Sequence, residues 1–141
     1  MRAISRLLLL ILPLLALPAA AQDVPPADAQ AIHDVIQSQL DAFQRDDAAT
    51  AYSYAAPSIK QMFTTPEIFM EMVKTGYQPV YRPREVEFRD LGDVNGALVQ
   101  DVFLVGPDGQ PVIARYSMQK QPDGSWRING CSLMKAPDQD V

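Results

Sequence analysis

The sequence predicts an α+β domain, with a long N-terminal helix and two or three short helices packed on one face of a four-stranded antiparallel meander. Three observations predict it. Residues 84–134 alternate apolar and polar positions and are interrupted by three turns of one chemical type, Asp93-Val94-Asn95-Gly96, Gly106-Pro107-Asp108-Gly109 and Gln121-Pro122-Asp123-Gly124. Each turn has Asn or Asp at the second bend and Gly where the backbone must become left-handed. Residues 28–76 instead repeat apolar side chains at helical spacing. The helices all precede the strands, so they gather on one face of an antiparallel sheet rather than cross over between parallel strands.

The elements follow in chain order. Asp28 is a candidate N-cap, and Ile32, Val35, Ile36, Leu40 and Phe43 form the apolar stripe of a first helix with Gln39 in its middle. His33 lies at the edge of that stripe, where a half-exposed ring is expected rather than a ligand. Asp46 or Asp47 can cap a short second helix through Tyr52 and Tyr54, and Pro57 ends it and opens a further turn with Ile59, Met62 and Phe63 on one side. Thr65-Pro66-Glu67 is a strong helix start, and Gly76 a stop. Tyr77 to Pro83, with two prolines, reads as an irregular crossing into the sheet.

A three-residue loop closed by a Gly bulge pairs Asp93 with Ala97, Gly106 with Gln110 and Gln121 with Ser125, and these pairs fix the register. Counting outward, Val86, Phe88, Val102, Leu104, Ala114 and Ile128 share one face. Arg89, Asp101, Arg115 and Cys131 lie side by side on the other, with opposite charges facing as cross-strand pairing favours.

The chain has 141 residues, and its start reads as a secretory signal peptide: Arg2 and Arg6, an apolar run from Leu7 to Leu17, then Ala19-Ala20-Ala21. Cleavage after Ala21 is expected. The domain organisation is therefore a signal peptide over 1–21, an extended leader over 22–27, a single domain over 28–136 and a flexible tail over 137–141, with the protein periplasmic or secreted. No Cys sits near the cut and the apolar run is too short to span a bilayer, so no stable membrane anchor is expected. Lys and Arg number 12 against 17 Asp and Glu, and cleavage would remove two of the basic side chains. That acidity argues against nucleic acid as a partner. Cys131 is the single cysteine, so an intramolecular disulfide is impossible.

A first helix ending Ala42-Phe43 before Asp46-Asp47, then Ala51-Tyr52, and a sheet ending Asp123-Gly124-Ser125-Trp126-Arg127-Ile128 resembles the nuclear transport factor 2-like superfamily of cone-shaped, cystatin-like α+β domains. Within it, Tyr116-Ser117-Met118 and Pro122 to Cys131 look most like an exported bacterial family without assigned function. The resemblance covers roughly residues 28 to 134. It implies a curved sheet wrapped around the first helix, with a pocket at the open end of the cone.

On the expected register, Asp90, Gln100, Tyr116 and Gly130 form one polar row across the inner face, with Gly130 leaving room opposite Tyr116. Gln39 points at the same place from the helix. Such a cavity, apolar with a few convergent polar groups, is the usual make-up of a ligand site. The expected function is thus a non-catalytic exported domain that binds a small, largely apolar ligand. The bland alternative is that Gln39, Gln100 and Tyr116 satisfy one another in an ordinary core.

Some relatives in the superfamily are isomerases and dehydratases, which implies a second alternative with Asp90 as base and Tyr116 as donor. A third is an envelope interaction module. Phe103, Ile113 and Leu133 align beside Val105 on the outer face, where an apolar patch suggests a homodimer or partner interface. One His and one Cys do not make a metal site, no Gly-rich phosphate loop is present, and no cofactor is expected.

Overall fold

A computed structural model describes residues 24–137. The expected signal peptide and cleavage site, the start of the expected leader and the tail after residue 137 lie outside the described residues. Five helices precede four strands: α1 Pro26–Gln44, α2 Ala48–Ser53, α3 Pro57–Met62, α4 Pro66–Gly76, α5 Gln78–Tyr81, then β1 Glu85–Val94, β2 Ala97–Val105, β3 Pro111–Lys120 and β4 Trp126–Lys135. The strands form one antiparallel sheet in the order β1-β2-β3-β4.

Local chemistry accounts for most of the helix ends. α1 starts two residues before the expected cap, with Pro26 in the first turn, where a missing N–H costs nothing. Asp28 instead accepts from Trp126 Nε1 at 3.2 Å and pairs with Lys120 at 3.6 Å, tying the start of α1 to the last hairpin. Asp47 caps α2 by accepting from the Thr50 N–H, and Thr65 caps α4 by accepting from the Ile68 N–H. The crossing expected to be irregular contains α5, because Pro79 also falls in a first turn. Asp46, in the left-handed region at φ 53°, accepts from the Tyr81 hydroxyl and from Arg82, which closes the end of α1 onto α5.

One core lies between helices and sheet. Ile32, Ile36, Leu40 and Phe43 of α1 and Phe69 and Val73 of α4 meet Val102, Leu104, Ala114, Tyr116 and Ile128, all buried. The short stretch around Ala55 adds a parallel bridge to β4, with the Ala56 N–H donating to Ile128 O and the Ile128 N–H donating to Tyr54 O, both at 2.8 Å.

The register follows the turns, with two departures. The second and third loops close as expected: Gly109 donates to Gly106 O and Gly124 donates to Gln121 O, each at 2.9 Å with the Gly at positive φ. Gln100 therefore faces Tyr116, and Asp101 faces Arg115. The first loop is shorter than expected. Asn95 and Gly96 are both left-handed, at φ 52° and 87°, so Val94 rather than Asp93 pairs with Ala97. This is the two-residue hairpin turn that Asn-Gly favours.

A bulge at Arg89 and Asp90 absorbs the one-residue slip, so Phe88 still faces Val102 and stays on the inner side. A second irregularity, at Asn129, shifts the far half of β4: Met118 faces Ile128, but Ser117 faces Gly130 and Tyr116 faces Cys131. With a side-chain period of two, that step exchanges the faces of residues 130–135 relative to the expected register.

Candidate functional site

A cavity of about 210 Å³ lies between the C-terminal half of α1, the helices α3 and α4, and strands β3 and β4. Its walls are aromatic and aliphatic: Phe43, Phe63, Phe69, Val73, Val80 and Ile128 among them. Phe69 is the hub, with ring centroids 6.1 Å from Phe43, 5.6 Å from Tyr52 and 6.4 Å from Phe63. The Tyr52 hydroxyl donates to the carbonyls of Phe63, at 2.7 Å, and Lys60, at 3.2 Å, so the end of α3 is pinned to α2 while its apolar side faces the cavity. Met62, 70 % exposed, stands at the mouth.

The sheet side of the cavity is its polar end. Tyr116 is 1 % exposed, and its hydroxyl is buried without a hydrogen-bond partner. Cys131 faces it from the neighbouring strand, near enough for thiol and hydroxyl to shift one another's titration, although the pair does not meet hydrogen-bond geometry. Burial, reinforced by the neighbouring Cys131 thiol, pushes the Tyr116 phenol well above its ordinary range, so it is a hydroxyl at any physiological pH. Cys131 keeps part of its surface accessible within the cavity, yet burial pushes its thiol up to about 12, only partly offset by the Tyr116 hydroxyl. It is therefore a neutral thiol and not an activated nucleophile.

Gln39 reaches the cavity from α1. Its Nε2 donates to Ala51 O at 3.1 Å, which leaves Oε1 with no donor among the described residues. Tyr77 completes the polar end by donating to Cys131 O at 3.1 Å, and burial raises its phenol pKa as well.

Three of the residues expected to share this site line the cavity, Gln39, Tyr116 and Gly130. Gln100 is buried on the inner face opposite Tyr116, as the register required, but it serves the fold. Its Nε2 donates to the carbonyls of Arg89 at 2.9 Å, Asp90 at 3.3 Å and Asp101 at 2.9 Å, and so holds the β1 bulge. Asp90 is exposed in that bulge and does not line the cavity, because the extra residue puts Leu91 opposite Gln100 in its place. Gly130 does line the cavity through its backbone, but it faces Ser117 and not Tyr116. A Cβ there would come within 3.0 Å of Ser117 Oγ. The expected row of Asp90, Gln100, Tyr116 and Gly130 is thus Leu91, Gln100, Tyr116 and Cys131.

The outer face changes by the same step in β4. Phe103 and Ile113 pair as expected, but Leu133 turns inward opposite Ala114 and packs against the core, so Met134 takes its place beside Ile113. The Arg89 guanidinium lies 4.9 Å over the Phe103 ring and covers part of that patch. Arg115 holds Asp101 through two bonds of 2.9 Å, with Ser132 where Cys131 was expected. His33 is half-exposed, stacked at 4.1 Å on Phe88 and far from any ligand set.

Sequence reasoning missed Cys131 and Tyr77 at the polar end and Met72 in the wall. Cys131 was hidden by the β4 irregularity, and Tyr77 by the reading of its segment as irregular. Among the described residues no cluster of three or more His, Cys, Asp or Glu is placed to hold a metal ion, and no helix is long and apolar enough to cross a membrane.

Among curated proteins none matches the chain. A family model does, over residues 25–141, which takes in every element described above. The chain belongs to the family described as Domain of unknown function (DUF4864).

Proposed function

We propose that this is an exported domain of the nuclear transport factor 2-like superfamily that binds a small, largely apolar molecule in the cavity between sheet and helices. One observation carries the reading: a buried tyrosine hydroxyl with no partner stands at the sheet side of an otherwise apolar cavity. An unpaired buried hydroxyl costs about 1–3 kcal/mol, and a protein that keeps one next to an open volume has a reason to keep it. Gln39 Oε1 adds a second unspent polar group.

The cavity is smaller than the roughly 300–1,000 Å³ of drug-sized sites, so the part of the ligand that enters is correspondingly small. The hydroxyl oxygen itself exposes less than 1 Å². A ligand group therefore meets it by rotating a neighbouring side chain, and Cys131, short and directly opposite, is the neighbour at hand. The isomerase-like alternative loses support, since Asp90 is outside the lining and, among the described residues, no carboxylate or imidazole lines the cavity.

The test is native mass spectrometry of the mature protein isolated from the compartment to which it is exported, with the mass of any retained molecule compared between wild type and Tyr116→Phe. A retained small molecule that is depleted in the variant supports the reading. Empty protein, together with no stabilisation by any member of a panel of small apolar alcohols, ketones and phenols in thermal denaturation, defeats it.

A further inference from the structure

We infer that the cavity selects an uncharged amphiphile held head inward, with a hydroxyl or carbonyl group against Tyr116 and Gln39 and an alkyl body leading out past Met62. This rests on the binding reading above and adds orientation and chemical class.

The residues that line the cavity include no Lys, Arg, His, Asp or Glu. A carboxylate or an ammonium group carried to the sheet side would lose its hydration with no opposite charge to meet it, which is the most expensive burial in protein chemistry. A neutral hydroxyl or carbonyl meets groups suited to it. The Tyr116 hydroxyl, held protonated, donates to an oxygen, and Gln39 Oε1 accepts from a hydroxyl. An alcohol uses both, a ketone or aldehyde only the first.

The opposite end of the site is apolar and open. Met62 is 70 % exposed at the mouth, and Ile68, 50 % exposed, stands one turn before Met72 on the same side of α4, with Met72 in the cavity wall. Met62, exposed and in the lining, gives the part of an alkyl chain that a 210 Å³ cavity cannot enclose an apolar surface to follow outward, and Ile68 extends the exposed apolar side of α4. Methionine suits this place because its unbranched, polarisable side chain adapts to chains of differing length.

The alternative orientation, tail inward and head at the mouth, would accept a fatty carboxylate as readily as an alcohol. An octyl series separates the two. Calorimetric titration of the mature protein with 1-octanol, octanoate and octylammonium at neutral pH is expected to show octanol bound at least about tenfold more tightly than either ion. Octanoate should gain affinity as pH falls through its own titration, and Tyr116→Phe should weaken octanol by about fivefold or more. Octanoate bound as tightly as octanol, or a Tyr116→Phe loss below twofold, overturns the head-inward assignment while the cavity remains a binding site. If none of the three ligands binds, the head-inward amphiphile assignment falls, and the mass spectrometry and ligand panel above decide the binding reading separately.

Discussion

Replacing Tyr116 with Phe should make this protein more stable, against the usual direction for a change in the core. The ring is 1 % exposed, and Phe keeps its shape, so the substitution opens no new void of consequence. What it removes is a hydroxyl that is buried without a partner. Such a group costs about 1–3 kcal/mol. The Cys131 sulfur facing it lessens that cost, so a gain of about 1 kcal/mol is expected, or roughly 3–6 °C in Tm for a domain of this size. The assay is urea denaturation, in which Cm should rise at unchanged m.

Tyr77→Phe is the matched control. Its hydroxyl donates to Cys131 O at 3.1 Å, and losing that bond should cost about 0.5–1 kcal/mol. If Tyr116→Phe is destabilising to the same degree, the Tyr116 hydroxyl is satisfied in solution and the inference that it awaits a ligand is refuted. A more stable fold with weaker binding is the combination expected of a group kept for function.

Gln100→Leu should cost about 2 kcal/mol, because it strips the donors from the Arg89 and Asp90 carbonyls, and amides of β1 should lose hydrogen-exchange protection before those of β3. A cost below about 0.5 kcal/mol would mean the bulge holds without it. Thr65→Ala removes the cap of α4 and should cost about 1 kcal/mol, most of it restored by Thr65→Ser; equal stability of all three proteins would count against the cap. The Cys131 thiol has a folded pKa raised from 9.0 to about 12, so its contribution to stability is complete below pH 9 and is lost as pH rises toward 12. Cm of the wild type should therefore fall more steeply over that range than Cm of Cys131→Ala, and parallel curves would contradict the burial argument.

The turns made the sheet legible. Gly106 to Gly109 and Gln121 to Gly124 close as their composition requires, and the pairing of Gln100 with Tyr116 follows from the first of these alone. Asn95-Gly96 is the stronger signal in the first loop, since that dipeptide favours a two-residue turn and so implies the one-residue slip that the β1 bulge absorbs. The bulges themselves were not legible from alternation, because an inserted residue leaves the apolar pattern readable on both sides while changing which face it describes. A sequence clue did exist for β1: an inward amide at Gln100 needs partners, and carbonyls freed by a bulge are where it finds them. For β4 the cause is tertiary. Ile128 is held by Tyr54 and Ala56, and Asn129 beside it bonds Ser58 at 2.7 Å, contacts between segments about 70 residues apart that no local pattern encodes.

The Ala55 bridge fastens the start of α3 to β4 just beside the β4 irregularity, so the helical rim and the sheet share a single seam. Beyond that seam the rim is two short helices, the second with its own Thr65 cap, which lets substitutions at Ile59, Met62 or Met72 reshape the doorway while the strands keep their alignment. Diversification of ligand size among descendants of this chain would accordingly concentrate in α3 and α4, and directed evolution could begin there.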